Sequence, residues 1–329
     1  MYPPNLPSLP DDGDHLVGAR SRTPTHTDDS SSAPQPRRRG LRPGDGGTIL
    51  EHVEVDLLPG AERLPGSVVA PALKARGVSK VFVGRAGQTM LALRDVDLEV
   101  GKGTFVSLIG PSGCGKSTLL RILGGLEQPS TGEVRPAARP GLAGLPSVAF
   151  VFQDYGLFPW LSVVDNVAFG LRMAGMGKRE RHDRARAWLA RMGLAGFERS
   201  YPEQLSGGMR QRLSLARAFV TDPEVLLMDE PMAALDAQTR LLLQEDLVQL
   251  WEETKKTVVL VTHSLDEALL LGDRVVVMTA RPGTVKLDLP VELPRPRSTS
   301  AATGVAFSRM KADLWAALRD EVAKSLEQS

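Results

Sequence analysis

The sequence predicts an α/β fold with a mainly parallel sheet, and three features carry that prediction. From Lys74 onward, apolar runs of four to eight residues alternate with longer helical stretches, and several runs are apolar throughout, as strands covered on both faces are. A glycine-rich loop joins the run Phe105 to Ile109 to a helical run from Thr118 to Leu123, which is the strand, loop and helix order of a phosphate-binding loop. Between Val163 and Met192 two helical segments follow one another across Gly175 and Gly177 with no strand between them. That break in the alternation marks an inserted helical subdomain.

Residues 1 to 47 hold eight of the 24 prolines, with Asp28-Asp29-Ser30-Ser31-Ser32 and Arg37-Arg38-Arg39 and no hydrophobic period; this composition predicts a disordered tail. From Thr48 to Leu73 a weak alternation of Ile49, Val53 and Val55 is broken by Pro59, Pro65 and Pro71, so the segment reads as a linker and 1–73 lies outside the domain. Strands are predicted over Gly77 to Val83, Leu91 to Val100, Thr104 to Ile109, Val148 to Phe152, Val225 to Met228, Thr257 to Val261, Arg274 to Thr279 and Val285 to Leu289. Helices fit after residues 115, 162, 178, 206, 236 and 264, with Ser162 to Asp165 as a capping box. The domain is predicted to span 74–290, with the helical insert over about 154–205. Over 291–329, Met310, Leu314, Leu318, Val322 and Leu326 recur every four residues, which gives a helix with one apolar stripe suited to docking on its own core.

Composition narrows the functional classes. The 42% hydrophobic content can fill an ordinary core, while 40 basic against 39 acidic residues leave no whole-chain field for nucleic acid or an anionic membrane. The arginine triplet alone is too small for stable electrostatic binding. Cys114 is the only cysteine, which excludes an internal disulfide or a cysteine-built metal cluster and fits a reducing cytoplasm. No run approaches the roughly 20 apolar residues of a spanning helix, and the N-terminus lacks an apolar signal region. The expectation is a cytosolic protein unless a partner holds it to a membrane.

The phosphate-loop string is Gly110-Pro111-Ser112-Gly113-Cys114-Gly115-Lys116-Ser117-Thr118. Glycines at 110, 113 and 115 permit backbone angles that turn successive N–H groups toward an anion, and the helix that follows adds its positive end. Lys116 is expected at the β and γ phosphates, and the Ser117 hydroxyl on Mg²⁺. The apolar strand Val225 to Met228 ends in Asp229 and Glu230. Adjacent acids at a buried strand end need a cation to offset their repulsion, so Asp229 is expected to hold the metal through water and Glu230 to polarise the attacking water.

Leu205-Ser206-Gly207-Gly208-Met209-Arg210-Gln211-Arg212 resembles the signature sequence of the ABC ATPases. Physically it is a second anion site, with Ser206 and the Gly207 and Gly208 amides at a helix start. The resemblance implies a RecA-like phosphate-loop core, an antiparallel β subdomain and a helical insert, with ATP held between the phosphate loop of one subunit and the signature of another in a head-to-tail homodimer or heterodimer. It also carries roles to matching positions. Gln153 corresponds to the loop glutamine on Mg²⁺ and the water, Asp236 to the interface aspartate, His263 to the switch histidine at the γ-phosphate, and Phe82 to the ring stacked on adenine, although Phe82 also reads as a strand residue packed in the core. Within the superfamily, the stretches Leu227 to Arg240, Leu250 to Thr254 and Val276 to Gly283 are similar to the ATPase subunits of nitrate, sulfonate, taurine and bicarbonate importers. Met232, Ala233 and Ser264 depart from that pattern, where Phe, Gly or Ser, and Asp are usual.

These resemblances imply an ATP hydrolase that energises an importer from the cytoplasmic face of the membrane. Integral permease subunits and a solute-binding protein are its implied partners, with no nucleic acid among them. The aromatic and apolar segment Tyr155 to Trp160 fits either a groove that receives a permease helix or packing within the insert. An ABC ATPase acting on DNA or ribosomes is disfavoured by the single cassette and the lack of sustained heptads. A scaffold without activity is disfavoured because Lys116, Asp229, Glu230 and His263 are all present.

Overall fold

The computed structural model describes residues 71–84, 87–135, 145, 147–295, 297, 302 and 304–327. The chain divides into two units, 1–64 and 65–329, and every described residue lies in the second. The tail expected over 1–47, and the linker up to residue 70, fall outside the described residues.

The N-terminal part contains β1 (Pro71–Val83), β2 (Thr89–Gly101), β3 (Phe105–Ile109), α1 (Lys116–Leu123) and β4 (Thr131–Arg135). Next come β5 (Val148–Val151), α2 (Val163–Met173), α3 (Lys178–Arg191), α4 (Gly207–Phe219) and β6 (Val225–Asp229). The chain continues through α5 (Ala237–Thr254), β7 (Thr257–Val261), α6 (Leu265–Leu271), β8 (Arg274–Met278), β9 (Val285–Pro290) and α7 (Val305–Glu327).

Two sheets result. The larger runs β5-β6-β7-β3-β8-β9; its first five strands are parallel, and β9 returns antiparallel beside β8. Its central strands β3, β6 and β7 are buried at every residue, which is why their sequences are apolar without alternation. The smaller sheet, β2-β1-β4, is antiparallel. Its alternation of buried Leu93, Val96, Leu98 and Val100 with exposed Arg94, Asp95, Asp97 and Glu99 shows one face packed and one wet.

The eight strands expected from the sequence are present, and seven of them agree at both ends within two residues. β1 is the exception: it begins at Pro71, six residues before Gly77, because Ala72, Leu73 and Ala75 bury against β2. Proline is tolerated there as the first strand residue, where its missing donor disturbs the ladder least. β4 was not anticipated. Its sequence Thr-Gly-Glu-Val-Arg is exposed apart from half-buried Val134, and it is a strand only because the free edge of β1 offers backbone partners.

Side-chain caps start α2 at Ser162, α4 at Ser206, α5 at Asp236 and α6 at Ser264. The Ser162 hydroxyl accepts from the Asp165 amide at 3.3 Å and donates to its carboxylate at 2.6 Å, so α2 starts with a closed cap. α2, α3 and α4 share one cluster through Val163, Val167, Leu171, Leu189 and Leu213. In α7, Leu314 and Leu318 are buried with Phe307 against α6 and β8, and Met310 and Val322 pack beside them. The predicted stripe therefore docks on its own core up to Leu326, which is 74% exposed. No helix of the described residues is long and apolar enough to cross a membrane.

Candidate nucleotide site

Lys116, Ser117, Gln153, Asp229, Glu230 and His263, singled out from the sequence, lie where parallel strands end, which is where open α/β sheets bind ligands. The phosphate loop follows β3, Gln153 follows β5, Glu230 follows β6 and His263 follows β7. Since β6 and β7 are neighbours with Asp229 opposite Val261, Glu230 and His263 leave the sheet side by side. β3 lies on the other flank of β7, which brings the loop to the same edge.

The loop is shaped by close approach. Gly115 sits at φ 107°, and a Cβ there would come within 2.7 Å of Leu93 Cδ2 and 3.0 Å of the Ala92 carbonyl oxygen. Any side chain at this position would push the loop off β2. Gly110, Pro111 and Cys114 are buried or tightly packed beneath, whereas Ser112 and Gly113 are exposed. Lys116 is 6% exposed, and its Nζ donates to the Gly110 and Pro111 carbonyls at 2.9 Å each. Burial raises the Cys114 thiol pKa, so the cysteine is a small apolar filler beneath the loop. Thr118 follows on the first turn of α1, half-buried.

Next to Lys116, Ser117 Oγ donates to Asp229 Oδ1 at 2.8 Å. Asp229 is 6% exposed, and burial pushes its carboxyl pKa up against the opposing pull of Ser117. A buried carboxylate beside a hydroxyl offers two hard oxygens that suit a divalent cation. Glu230 takes the left-handed conformation at φ 45°, with its amide bonded to the Val261 carbonyl at 3.0 Å. Its Oε2 lies 3.6 Å from His263 Nδ1, and the imidazole is 59% exposed. A non-glycine residue in that region is uncommon and costs roughly 1–3 kcal/mol; here the strain aims Glu230 across the strand ends toward His263.

The start of α4 stands apart. Ser206 caps it by accepting from the Met209 amide at 3.3 Å. Gly207 faces Tyr155 and Leu235, and a Cβ on Gly208 would come within 2.5 Å of Thr239 Cγ2. Asp236 caps α5 by accepting from the Thr239 amide at 3.0 Å, and that bond lowers its pKa. Among the described residues, the close approaches of Ser206, Gly207 and Gly208 run to 155, 209, 235 and 239 and not to the phosphate loop. The start of α4 and the phosphate loop are thus separate within one chain. Phe82 is half-buried, lies opposite Met90 across β1 and β2, and has Lys80 Nζ 5.1 Å from its ring; it belongs to none of the buried clusters. Gln153 is exposed at the end of its strand.

Three supporting residues escaped the sequence analysis. Ser214 Oγ donates to the Tyr155 carbonyl at 3.1 Å, and the Arg217 guanidinium donates to the Tyr155 and Gly156 carbonyls. Asn166, fully buried, accepts from the Phe158 amide and donates to the Phe158, Leu161 and Ser162 carbonyls. α4 and α2 therefore grip the loop that follows Gln153. Only the partners, far along the chain, reveal these roles, although a polar residue on a buried helix face is a usable signal. Of the sequence departures, Ser264 caps α6 by accepting from the Glu267 amide at 3.3 Å, a duty aspartate performs equally well. Met232 is 1% exposed, an apolar substitute for a buried ring.

Comparison with known proteins points to one family. The ABC transporter family profile matches residues 93–233. An uncharacterised ABC transporter ATP-binding protein of Methanocaldococcus jannaschii is 47% identical over 78% of this chain and 94% of its own length. The aliphatic sulfonates import ATP-binding protein of Bacillus cereus is 43% identical, over 68% and 88% of the two chains. The taurine import ATP-binding protein of Burkholderia pseudomallei is 48% identical, over 65% and 82%. Among solved structures, a dimeric ATP-binding cassette in a post-hydrolysis state with ADP and phosphate matches with a TM-score of 0.58 and 33% identity, covering 68% of this chain and all of that one. The chain belongs to the ABC transporter family, as one of its ATP-hydrolysing, ATP-binding cassettes.

Proposed function

We propose that this cassette binds MgATP at the phosphate loop and uses its hydrolysis to drive a small-solute importer. The observation that carries the proposal is the meeting of two pairs at adjacent strand ends: Ser117 with Asp229 at 2.8 Å and Glu230 with His263 at 3.6 Å. In this reading Lys116 exchanges its two carbonyl partners for phosphate oxygens, which are stronger acceptors. Ser117, Asp229 and Gln153 would hold Mg²⁺, which when bound neutralises charge on the phosphate oxygens. Glu230 orients water for attack and accepts its proton, while His263 steadies Glu230 and the γ-phosphate end. Phe82 offers its ring to adenine.

Because Ser206, Gly207 and Gly208 lie apart from the loop of their own chain, the second anion site serves a nucleotide held by another copy or a related cassette. Asp236, next to Gly208 through Thr239, belongs to that same face. The dimeric, ADP-bound cassette supports this assembly by similarity. Arg217 and Ser214 join α4 to the Tyr155–Trp160 segment, so movement of the signature helix reaches the surface where Trp160 stands 72% exposed. We assign that surface to the permease, which would place the chain on the cytoplasmic face of the membrane beside a solute-binding protein's partner subunits. The solute proposed is a small anion or zwitterion of the nitrate, alkanesulfonate or taurine type, in line with the importer relatives. The domain proposed for this work is 74–290, with its helical insert at about 154–205.

Replacing Glu230 by Gln tests the catalytic assignment. Turnover should fall by at least about a hundredfold with nucleotide binding intact, and normal turnover would remove Glu230 from the role. Uptake of labelled nitrate, sulfonate and taurine by cells lacking this subunit identifies the solute.

A further inference from the structure

The phosphate loop has another wall, built from the turn between β8 and β9. Thr279 and Thr284 close the turn through a backbone bond of 3.0 Å, and the Thr279 hydroxyl takes the Thr284 amide at 3.0 Å. Gly283 fastens it to β2: its amide donates to the Ala92 carbonyl at 2.9 Å and its carbonyl accepts from the Arg94 amide at 3.0 Å. A Cβ at 283 would lie 2.1 Å from the Cys114 carbonyl oxygen, so this backbone rests directly on the loop. From the other side, the buried Glu321 carboxylate accepts from the Ala280 amide at 2.9 Å. Ser325, one turn further along α7, donates to the Ser112 carbonyl at 3.3 Å.

Arg281 projects from this fixed turn. Its Nη1 reaches Met90 Sδ at 2.9 Å, and Nη2 would be 3.8 Å from a Cβ on Gly113. Met90 is the cross-strand neighbour of Phe82. The guanidinium therefore sits between the exposed crest of the phosphate loop and the strand pair that carries the ring assigned to adenine. Among the described residues it meets no carboxylate, and a thioether is a weak acceptor. A cation carried on so fixed a turn and so poorly matched, beside the phosphate loop, is poised for phosphate oxygens, which take guanidinium donors in pairs.

We infer that Arg281 is a nucleotide-binding residue that meets the phosphate chain at its adenosine end, and that Glu321 positions it by fixing Ala280. The inference rests on the proposed MgATP site and adds a contact to it. Glu321 touches no nucleotide and acts only through the turn.

Nucleotide affinity, measured by displacement of a fluorescent ATP analogue from the full chain, tests both parts. Arg281→Gln should weaken MgATP and MgADP alike by about tenfold, with Arg281→Lys recovering part of the loss and melting without nucleotide unchanged, since the side chain is exposed. Glu321→Gln should weaken both by about threefold, and the double variant should be no weaker than Arg281→Gln alone, because one contact is lost twice. Unchanged affinity in Arg281→Gln overturns the inference, as does a loss seen with ATP but not ADP, which would move the contact to the γ-phosphate. A fully additive double variant overturns the part given to Glu321. Wild type and Lys116→Ala run alongside: if wild type binds neither nucleotide, the MgATP site itself fails, whereas normal wild-type binding with no effect at 281 sinks only this contact.

Discussion

The phosphate end of the sheet and the C-terminal helix both bury charged side chains, yet they treat them in opposite ways. Among the described residues, the two buried charges of the C-terminal part, Arg297 and Glu321, are fully engaged. Burial pushes the Glu321 carboxyl up, but Lys286, the Ala280 amide and Lys324 outweigh it and hold its pKa at about 2. Arg297, 4% exposed, donates to the carbonyls of Leu269, Gly272, Val291 and Leu293. Burial, then Arg295 nearby, lowers it to about 10, which still leaves it charged at neutral pH. At the phosphate end, Lys116 rests on two carbonyls of its own loop, and Asp229 keeps a raised pKa with a single hydroxyl beside it. Complete engagement marks charges that hold the fold, and provisional engagement suits the charges assigned above to the proposed nucleotide.

Substitutions can break this distinction. The largest expected effect is structural: Arg297→Met leaves as many as four buried carbonyls without a donor and should cost about 4 kcal/mol in denaturant unfolding. A cost under about 1 kcal/mol would show that the C-terminal charges are ornamental. Next is Glu321→Gln, expected to cost about 2 kcal/mol at neutral pH once solvent screening of its lysine partners is allowed for. Because the folded pKa lies below the ordinary value of 4.5, this stabilisation is present above pH 4.5 and fades as pH falls toward about 2. The stability gap between variant and wild type should close over that window, and a constant gap would mean lost packing.

Lys116→Ala reverses the pattern, with nucleotide affinity falling at least about a hundredfold while unfolding without nucleotide shifts little. A large loss of apo stability would class Lys116 with the C-terminal charges. The smallest effect belongs to Ser206→Ala, which removes a helix cap and should cost about 1 kcal/mol.

The same contrast explains what the sequence made legible. The phosphate loop could be read because its demands are local: glycines where backbones touch, a lysine and a serine at fixed spacing, a strand before and a helix after. Asp229 and Glu230 announced themselves as paired acids ending an apolar strand. The core strands β3, β6 and β7 were visible because burial on both faces leaves only apolar residues. β4 was invisible, since its exposed residues carry no pattern and its strand geometry is imposed by β1. The early start of β1 hid behind Pro71, normally a breaker. Arg281 and Glu321 were illegible for another reason: Glu321 meets Ala280 41 positions away, Ser325 meets Ser112 213 away, and Arg281 meets Met90 191 away. Gln153, Asp236, His263 and Phe82 drew their proposed roles from resemblance, because one glutamine, aspartate, histidine or phenylalanine carries no spacing of its own.

The central claim is that Ser206, Gly207 and Gly208 complete a nucleotide site only in another subunit, a second copy or a related cassette, and a second copy is the case tested first. Sedimentation of the Glu230→Gln chain with and without MgATP tests it most directly, since slowed turnover preserves the bound state. The account predicts a monomer without nucleotide and a dimer holding two ATP molecules with it, a dimer that Ser206→Arg abolishes. A chain that binds one MgATP tightly and stays monomeric, or a dimer indifferent to Ser206→Arg, would contradict it.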